Sequence, residues 1–394
     1  MGGKIRISAL TDQALLARQI EAALAARDFA AAQALLREAV AANPQDRSLL
    51  LNLAGVCRVA GQPREALNAV HAALALAPLD FTALLLRASL LDRLDDPRAG
   101  EAWGQALAQR PDAALPAELI AAVAEAEKRH AAWLDAREQR LVAAMAPVEQ
   151  VADAEERRRI ARFRSNALRR TRVYHSEPTH FFFPELAERE FHPRARFPWL
   201  AELERETEAI AGELGELLAA QRAELVPYIQ YADHVPMRQW KPLNHNPDWS
   251  AIHLWQNGRR LETNAAQCPH TMDLLEKLPQ PVVRGASPNA MFSLLAPGTA
   301  IPPHVGVNNA RLVCHLPLVV PEGCWFRVGA ETRPWRRGEA FVFDDTIEHE
   351  ALNPSDRLRI VFIFDIWHPD LTDKERDAVA ALIAADNPAT TTGV

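Results

Sequence analysis

The chain has 394 residues, 48% of them hydrophobic and 24% charged, so at ~150 residues per domain it has room for two or three domains and at least one large core. That composition excludes disorder over most of the chain. Lys and Arg number 44 against 51 Asp and Glu, a net charge of -7, the wrong sign for a surface built to bind nucleic acid or anionic lipid. At the start, MGGKIRISALTDQ holds no apolar run of signal-peptide length, so no leader is expected.

The first third repeats. Ala32, Leu36, Ala39 and Pro44 recur 34 residues later as Ala66, Val70, Ala73 and Pro78, and a weaker third copy ends at Pro111. A 34-residue period is that of tetratricopeptide (TPR) repeats, in which small residues let two helices approach and a Pro ends the second one. A TPR-like array is therefore expected over roughly residues 13–112, with an Ala-rich bundle lacking a peptide groove as the rival. From Ala117 to about Val173 the pattern stays helical and becomes charged. The run RRRIARFRSNALRRTR carries eight Arg. Because aromatic interleaving is nearly absent and Asp153, Glu155 and Glu156 lie just upstream, the run reads as a solvated helix face, not a nucleic-acid patch.

After His175 the chain turns rich in Phe and Pro, and a helix is expected from about Leu200 to Gln221. Strands follow: Ala290–Leu295, Leu312–Val320, Cys324–Val328, Ala340–Phe343 and Leu358–Trp367 are short, rich in β-formers and separated by turn residues. Such strands without intervening helices predict an antiparallel sandwich or barrel. The charge-free stretch 285–310 holds Pro288, Pro297, Pro302 and Pro303, so no membrane span is expected. A last helix opens at Thr372 with Glu375 three residues on, a capping-box spacing, before the tail NPATTTGV. Cys57, Cys268, Cys314 and Cys324 lie far apart with no C-x-x-C spacing, which fits reduced thiols in the cytoplasm and neither a disulfide nor a zinc framework.

Two histidines stand in informative surroundings. PPHVGVNNARLVCH puts His304 at the end of a proline-stiffened turn, and FDDTIEHEALNPSDRLRIVFIFDIW puts His349 near a strand start. If Asn353-Pro354-Ser355-Asp356 closes a hairpin centred on Pro354, His349 faces Arg359 on one side of the sheet; a register shifted by one separates them. An Arg within an apolar strand is costly to bury unless an anion meets it. A metal-binding His and an inward Arg on neighbouring strands suit a 2-oxoglutarate oxygenase, where imidazoles hold Fe(II) and the Arg pairs with the distal carboxylate of the keto acid. The usual carboxylate ligand is missing: two residues after His304 stands Gly306. Asp344 and Asp345 have a rival role as caps of the turn before His349. His270 and Cys268 read as a loop and helix start without a ligand role, and Trp325, Trp335 and Trp367 as core or rim aromatics.

With that departure, residues 180–372 resemble the aspartyl/asparaginyl β-hydroxylase family of Fe(II)/2-oxoglutarate dioxygenases. The resemblance rests on FFFPELAEREFHPRARFPWL, Trp249-x4-Leu254-x3-Gly258, CPHTMDLLEKLP, MFSLLAPGTAIPPHVGVNNARLVCHLPL, GCWFRVG, GEAFVFDDTIEHEALN and RIVFIFDIWHPDL. It implies a double-stranded β-helix of jelly-roll or cupin type, with His304 and His349 as iron ligands and a Gly where other oxygenases carry a carboxylate. Arg359 and Ser293 are then expected to bind the distal carboxylate of 2-oxoglutarate, and His315 the chelating one. Where the family commonly has an Arg, this chain has Val313, which shifts that expectation to Arg311. Asp345 is expected to hold an iron-bound water.

The expected organisation is an α+β multidomain chain: TPR-like helical repeats at 1–115, a charged helical connector at 116–175, an oxygenase domain at 176–372, and a helix with a polar tail at 373–394. The implied reaction hydroxylates the β-carbon of an Asp or Asn side chain in a protein or peptide, consuming O2 and converting 2-oxoglutarate to succinate. Two alternatives stand beside it. One is the same chemistry on a free amino acid, a peptide natural product or a lipid-linked acyl chain; the other is a non-catalytic TPR scaffold. A protein or peptide substrate is the expected partner of the repeats. The sequence leaves the oligomeric state open.

Overall fold

The computed structural model describes residues 15–386, except residues 222 and 233 and the side chain of residue 118; the sequence readings of the first residues and of the tail NPATTTGV lie outside the described residues. The chain divides into two compact units between Arg170 and Thr171.

The first unit is helical: α1 (residues 15–25), α2 (Phe29–Ala42), α3 (Arg47–Val59), α4 (Pro63–Leu76), α5 (Phe81–Arg93), α6 (Ala99–Leu107), α7 (Ala117–Val151) and α8 (Ala154–Ala167). The repeat positions Ala32, Leu36 and Ala39 and their copies Ala66, Val70 and Ala73 are all buried where successive helices meet. Helix starts repeat as well. Asp46 accepts from the amides of Ser48 and Leu49, and Asp80, one period later, accepts from Ala83, so each supplies the acceptor that a helix N-terminus lacks. In the third copy Gly100 stands at the position of Ala32 and Gly104 at that of Leu36, where a Cβ would lie 2.0 Å from Trp133 and 2.4 Å from His130 of α7. So α7 closes the array and shares its unit, instead of starting a separate connector. The Arg run on and after α8 is met by acids: Arg158 by Glu155, Arg164 by Glu149, and Arg170 by Asp135 and Glu138. At least three of the eight arginines of the run are thus paired with acids.

The second unit begins with an irregular segment, then α9 (Leu200–Arg205) and α10 (Thr207–Ala219). The single helix expected here is broken at Glu206, where the Thr207 hydroxyl donates to the Glu204 carbonyl at 2.6 Å. Next come β1 (Val226–Pro227), β2 (Trp249–Gln256), β3 (Arg259–Arg260), α11 (Glu262–Ala265), α12 (Pro269–Leu275), β4 (Ala290–Leu295), β5 (Ala300–His304) and β6 (Arg311–Val319). They are followed by β7 (Trp325–Val328), β8 (Glu331–Pro334), β9 (Phe341–Phe343), β10 (His349–Leu352), β11 (Arg359–Trp367) and α13 (Asp373–Asp386). The capping box at Thr372 is present, with the Thr372 amide donating to Glu375 at 2.7 Å.

Two antiparallel sheets form, one ordered β1-β2-β4-β11-β6-β9 with β3 beside β2, the other β5-β10-β7-β8. On β4, β6 and β11, alternate residues such as Phe292, Leu316 and Phe362 pack outward under α9, α10 and α12. Their neighbours Val313, Val361 and Leu295 face inward onto Phe326, Val328 and Ala351 of the smaller sheet. β5 went unread in the sequence because Pro302 and Pro303 lie inside it. Its place at the sheet edge lets prolines stay without breaking a ladder. All four cysteines are free and buried.

Candidate active site

His304 ends β5 and His349 opens β10, and the antiparallel register makes them direct partners. Their ring centroids lie 4.0 Å apart. His304 Nδ1 stands 2.8 Å from the Pro302 carbonyl and His349 Nδ1 3.0 Å from that of Ile347. A carbonyl oxygen only accepts, so both Nδ1 atoms carry hydrogen and both Nε2 atoms keep their lone pairs. Burial lowers the pKa of His304 to about 3, helped by His349 beside it, and burial lowers that of His349 to about 4. Two neutral imidazoles, each oriented through its Nδ1 by main chain, are what a divalent ion needs.

Asp345 completes this corner. Its carboxylate receives Arg311 Nη2 at 2.9 Å, while Oδ1 is buried without a partner. A Cβ built on Gly306 would fall 2.3 Å from Asp345 Oδ2 and 2.6 Å from Oδ1. The space a side chain at 306 would occupy is thus already filled by a carboxylate reaching in from the other turn. The Gly306 amide donates to the Asp345 carbonyl at 2.6 Å, which fixes the two turns together. Asp344, in contrast, caps the turn by accepting from the Thr346 amide and hydroxyl, and burial raises its pKa to about 7.

Arg359 lies on the other sheet. β10 pairs with β5 and β7, β11 with β4 and β6, so the hairpin expected through Pro354 does not form. The turn crosses between sheets instead, held by Asn353, whose amide donates to the carbonyls of Leu295, Ala296 and Arg357. Arg359 is 1% exposed and its guanidinium stacks over Trp335 at 4.6 Å. Its polar contacts are long: Nη1 reaches the Ser293 carbonyl at 3.3 Å and the hydroxyl at 3.4 Å, and Nε is buried without a partner. Burial without a facing carboxylate pulls its pKa down to about 9. The Trp249 indole donates to Ser293 Oγ at 3.1 Å, so this hydroxyl already accepts from two sides and its own hydrogen is free for an incoming anion.

His315 projects from β6 among Phe326, Phe341 and Phe343, with Nδ1 unpartnered, and burial together with Arg359 and His349 holds its pKa well below the usual range. Arg311 Nη2 bonds Asp345, and although burial opposes its charge, the carboxylates of Asp345 and Asp365 hold its pKa above the ordinary value. Val313 is part of the apolar inner face. Outside the expected set, Trp335 covers Arg359, Trp249 orients Ser293, Tyr228 stacks on Trp249 at 3.9 Å, and Trp240 meets His304 edge-on at 4.9 Å. Trp335 had only a core role in the sequence, since nothing local tells an aromatic that covers a cation from one that fills space. His270 bonds to Glu206 and its amide to Glu213, a structural role.

The donor set suits a metal ion held by two imidazoles. Among the described residues no cluster of three or more His, Cys, Asp or Glu could hold one. The unpartnered Oδ1 of Asp345 offers an acceptor at this corner.

Residues 204–369 match the family model described as aspartyl/asparaginyl beta-hydroxylase, and residues 23–90 match the tetratricopeptide repeat model. The chain is 42% identical over 143 residues to the human protein named aspartyl/asparaginyl beta-hydroxylase, covering 36% of this chain and 18% of that one. It is 33% identical over 214 residues to the rat aspartate beta-hydroxylase domain-containing protein 2, covering 53% and 59%. With the Rhizobium tropici ornithine lipid ester-linked acyl 2-hydroxylase it shares 35% over 178 residues, covering 44% and 59%. It therefore spans between about a fifth and three fifths of the length of these relatives. Among solved structures, the MamA protein aligns at 17% identity with a TM-score of 0.27 over 32% of this chain and 63% of that one.

Proposed function

We propose that this chain, which carries an aspartyl/asparaginyl β-hydroxylase-family domain behind tetratricopeptide repeats, is an Fe(II)- and 2-oxoglutarate-dependent dioxygenase that hydroxylates the β-carbon of an Asp or Asn side chain. One observation carries the reading: a pair of neutral imidazoles with their Nδ1 hydrogens bound shares an interior with one buried guanidinium that no carboxylate meets.

Bound iron would supply the oxidative chemistry on O2, coupled to conversion of 2-oxoglutarate to succinate. The chain's own part is placement. His304 and His349 hold the ion through Nε2. Arg359 and the Ser293 hydroxyl take the distal carboxylate of the cosubstrate, and the apolar wall of Phe326, Val361 and Trp335 keeps water from the guanidinium, which strengthens that pairing. His315, between Phe341 and Phe326, faces the chelating end. Asp345 holds an acceptor beside the metal corner and is itself held by Arg311. The repeats are assigned the docking of a protein or peptide substrate.

A second reading, hydroxylation of a lipid-linked acyl chain, draws support from one fact: an ornithine lipid ester-linked acyl 2-hydroxylase is among the relatives. Succinate release with and without Fe(II) tests the chemistry. Mass spectrometry for a gain of one oxygen, against peptides bearing Asp or Asn and against acyl lipids, separates the acceptors; iron-independent or absent succinate release would overturn the reading.

A further inference from the structure

The segment Tyr174 to Phe183 precedes the region matched by the family model and has no regular secondary structure, yet it is bonded to both turns that carry the paired histidines. On the His304 side, the Thr179 amide donates to the Gly306 carbonyl at 3.0 Å and the His180 amide to Val307 at 3.0 Å. Phe183 exchanges two hydrogen bonds with the Asn309 side chain, at 2.6 and 2.9 Å. On the His349 side, the Glu177 amide donates to the Thr346 carbonyl at 2.9 Å, and Ser176 Oγ lies 2.6 Å from Thr346 Oγ1. The direction of that last bond follows from its neighbour. Thr346 spends its single hydroxyl hydrogen on Asp344 Oδ1, so Ser176 is the donor.

Tyr174 adds a third anchor, lying under the guanidinium of Arg327 at 5.4 Å. Arg327 bonds Glu348 at 2.9 Å and also Glu350, the two residues flanking His349. Between them, these contacts reach the chain on both sides of the Gly306–Asp345 contact and next to the Ile347 carbonyl that orients His349. Tyr174 also packs against the core around Ile347 and Phe326, Phe181 and Phe183 pack against Ala310, Leu371 and Val379, and His175 and the Ser176 amide meet Glu188. The segment's remaining backbone and hydroxyl bonds described above go to the two turns.

We infer that residues 174–183 form a brace that positions the two-histidine site, with Ser176 and Tyr174 as positioning residues that act through the 344–350 and 305–309 turns and touch neither metal nor substrate. The inference rests on the metal assignment above for its consequence, not for its mechanics. Beyond the β5–β10 pairing, the two turns are tied directly by Gly306 and Asp345; without the brace they loosen, and the imidazoles lose the fixed separation that a two-ligand site depends on, having no third protein ligand to compensate.

The test uses the full chain with Ser176→Ala, Tyr174→Ala and the conservative Ser176→Thr, beside Thr207→Ala, which removes a hydrogen bond elsewhere in the same unit. Hydrogen exchange on the metal-free proteins should show faster exchange in segments 304–309 and 344–350 for the first two variants only. Titration with Co(II), followed optically without cosubstrate, should give affinity weaker by roughly three- to tenfold in those two, and near wild type in Ser176→Thr and Thr207→Ala. Unchanged exchange and Co(II) affinity in both Ser176→Ala and Tyr174→Ala would overturn the brace, as would a loss spread evenly over the unit and matched by Thr207→Ala. Failure of the wild type to bind Co(II) would remove the metal reading instead, and the exchange data would still decide the brace.

Discussion

Gly306 offers the sharpest test of the site. Its φ is not among the left-handed values, so backbone conformation does not demand glycine; space does. A methyl group there would sit 2.3 Å from Asp345 Oδ2 and 2.4 Å from Cγ, where ordinary contacts begin near 3.4 Å, so the carboxylate must shift by about an ångström or leave. Asp345 is buried and short, and its Oδ2 holds Arg311 at 2.9 Å, so moving it breaks a largely buried ion pair. Breaking such a pair costs about 3–5 kcal/mol when one partner is left uncompensated, and less here because Asp365 also supports the guanidinium charge. Gly306→Ala is therefore expected to lower stability by at least about 2 kcal/mol and to weaken Co(II) binding. Gly306→Asp, which the sequence alone would cast as restoring a third metal ligand, should do the same, because Asp345 already fills that space. The pair Gly306→Asp with Asp345→Gly moves the carboxylate to the other turn and should recover a large part of the loss. Denaturant melts and metal titrations on the two single variants and the double decide the matter. If Gly306→Ala keeps wild-type stability and affinity, or the double variant is no better than the sum of the singles, the cradle argument fails.

Arg359→Met keeps volume and removes a cation whose buried charge lacks an acid, so it should leave the ligand-free protein as stable or more stable by thermal melt. The 2-oxoglutarate requirement should rise roughly tenfold to a hundredfold, from the loss of about 1.5–3 kcal/mol of charge-assisted bonding; unchanged affinity would make Arg359 structural. His192 is buried with Nε2 unpartnered and its pKa lowered by burial to about 3, so the unfolded chain binds its proton below about pH 6.5 while the fold does not until about pH 3. Stability should thus fall as pH falls through that window, by about 2 kcal/mol from this residue at pH 5, and His192→Phe should flatten the acid limb; an identical limb in the variant rejects the assignment. A chain starting at Thr171 retains the whole second core and the 174–183 segment and should fold and bind Co(II), whereas one starting at residue 204, where the family match begins, loses Phe191, Phe197 and Leu200 from the cores and should not; circular dichroism and titration compare them.

What the sequence told, and what it withheld, follows from the range of the interactions involved. The repeat was legible because a 34-residue period records a local rule applied again, and the buried Ala32–Ala66 and Leu36–Val70 equivalences and the Asp46 and Asp80 caps are that rule in coordinates. The third copy was weak in the sequence for a reason that is not local: Gly100 and Gly104 answer to Trp133 and His130, far along the chain. His304, His349 and Arg359 stood out as polar residues in apolar, turn-rich contexts, yet the pairing drawn between His349 and Arg359 was a neighbour's pairing, and in the molecule the two stand on different sheets. A turn sequence such as Asn353-Pro354-Ser355-Asp356 specifies a reversal; whether the next strand joins the same sheet depends on what its ends bond to, here Leu295 and Ala296.

The same logic explains why Gly306 was read for the ligand it lacks and not for the group it admits. A missing carboxylate is visible in the sequence two residues after His304, whereas the carboxylate that fills the gap arrives from Asp345 on another strand connection, with Arg311 behind it. Having the carboxylate arrive from the facing turn has a physical consequence. The acid does not sit on the strand that carries His304, so its position depends on how the 305–309 and 344–350 turns are held together, which makes the precision of this corner a property of tertiary contacts such as Gly306 to Asp345 and Ser176 to Thr346. A site built this way is sensitive to changes that touch neither histidine.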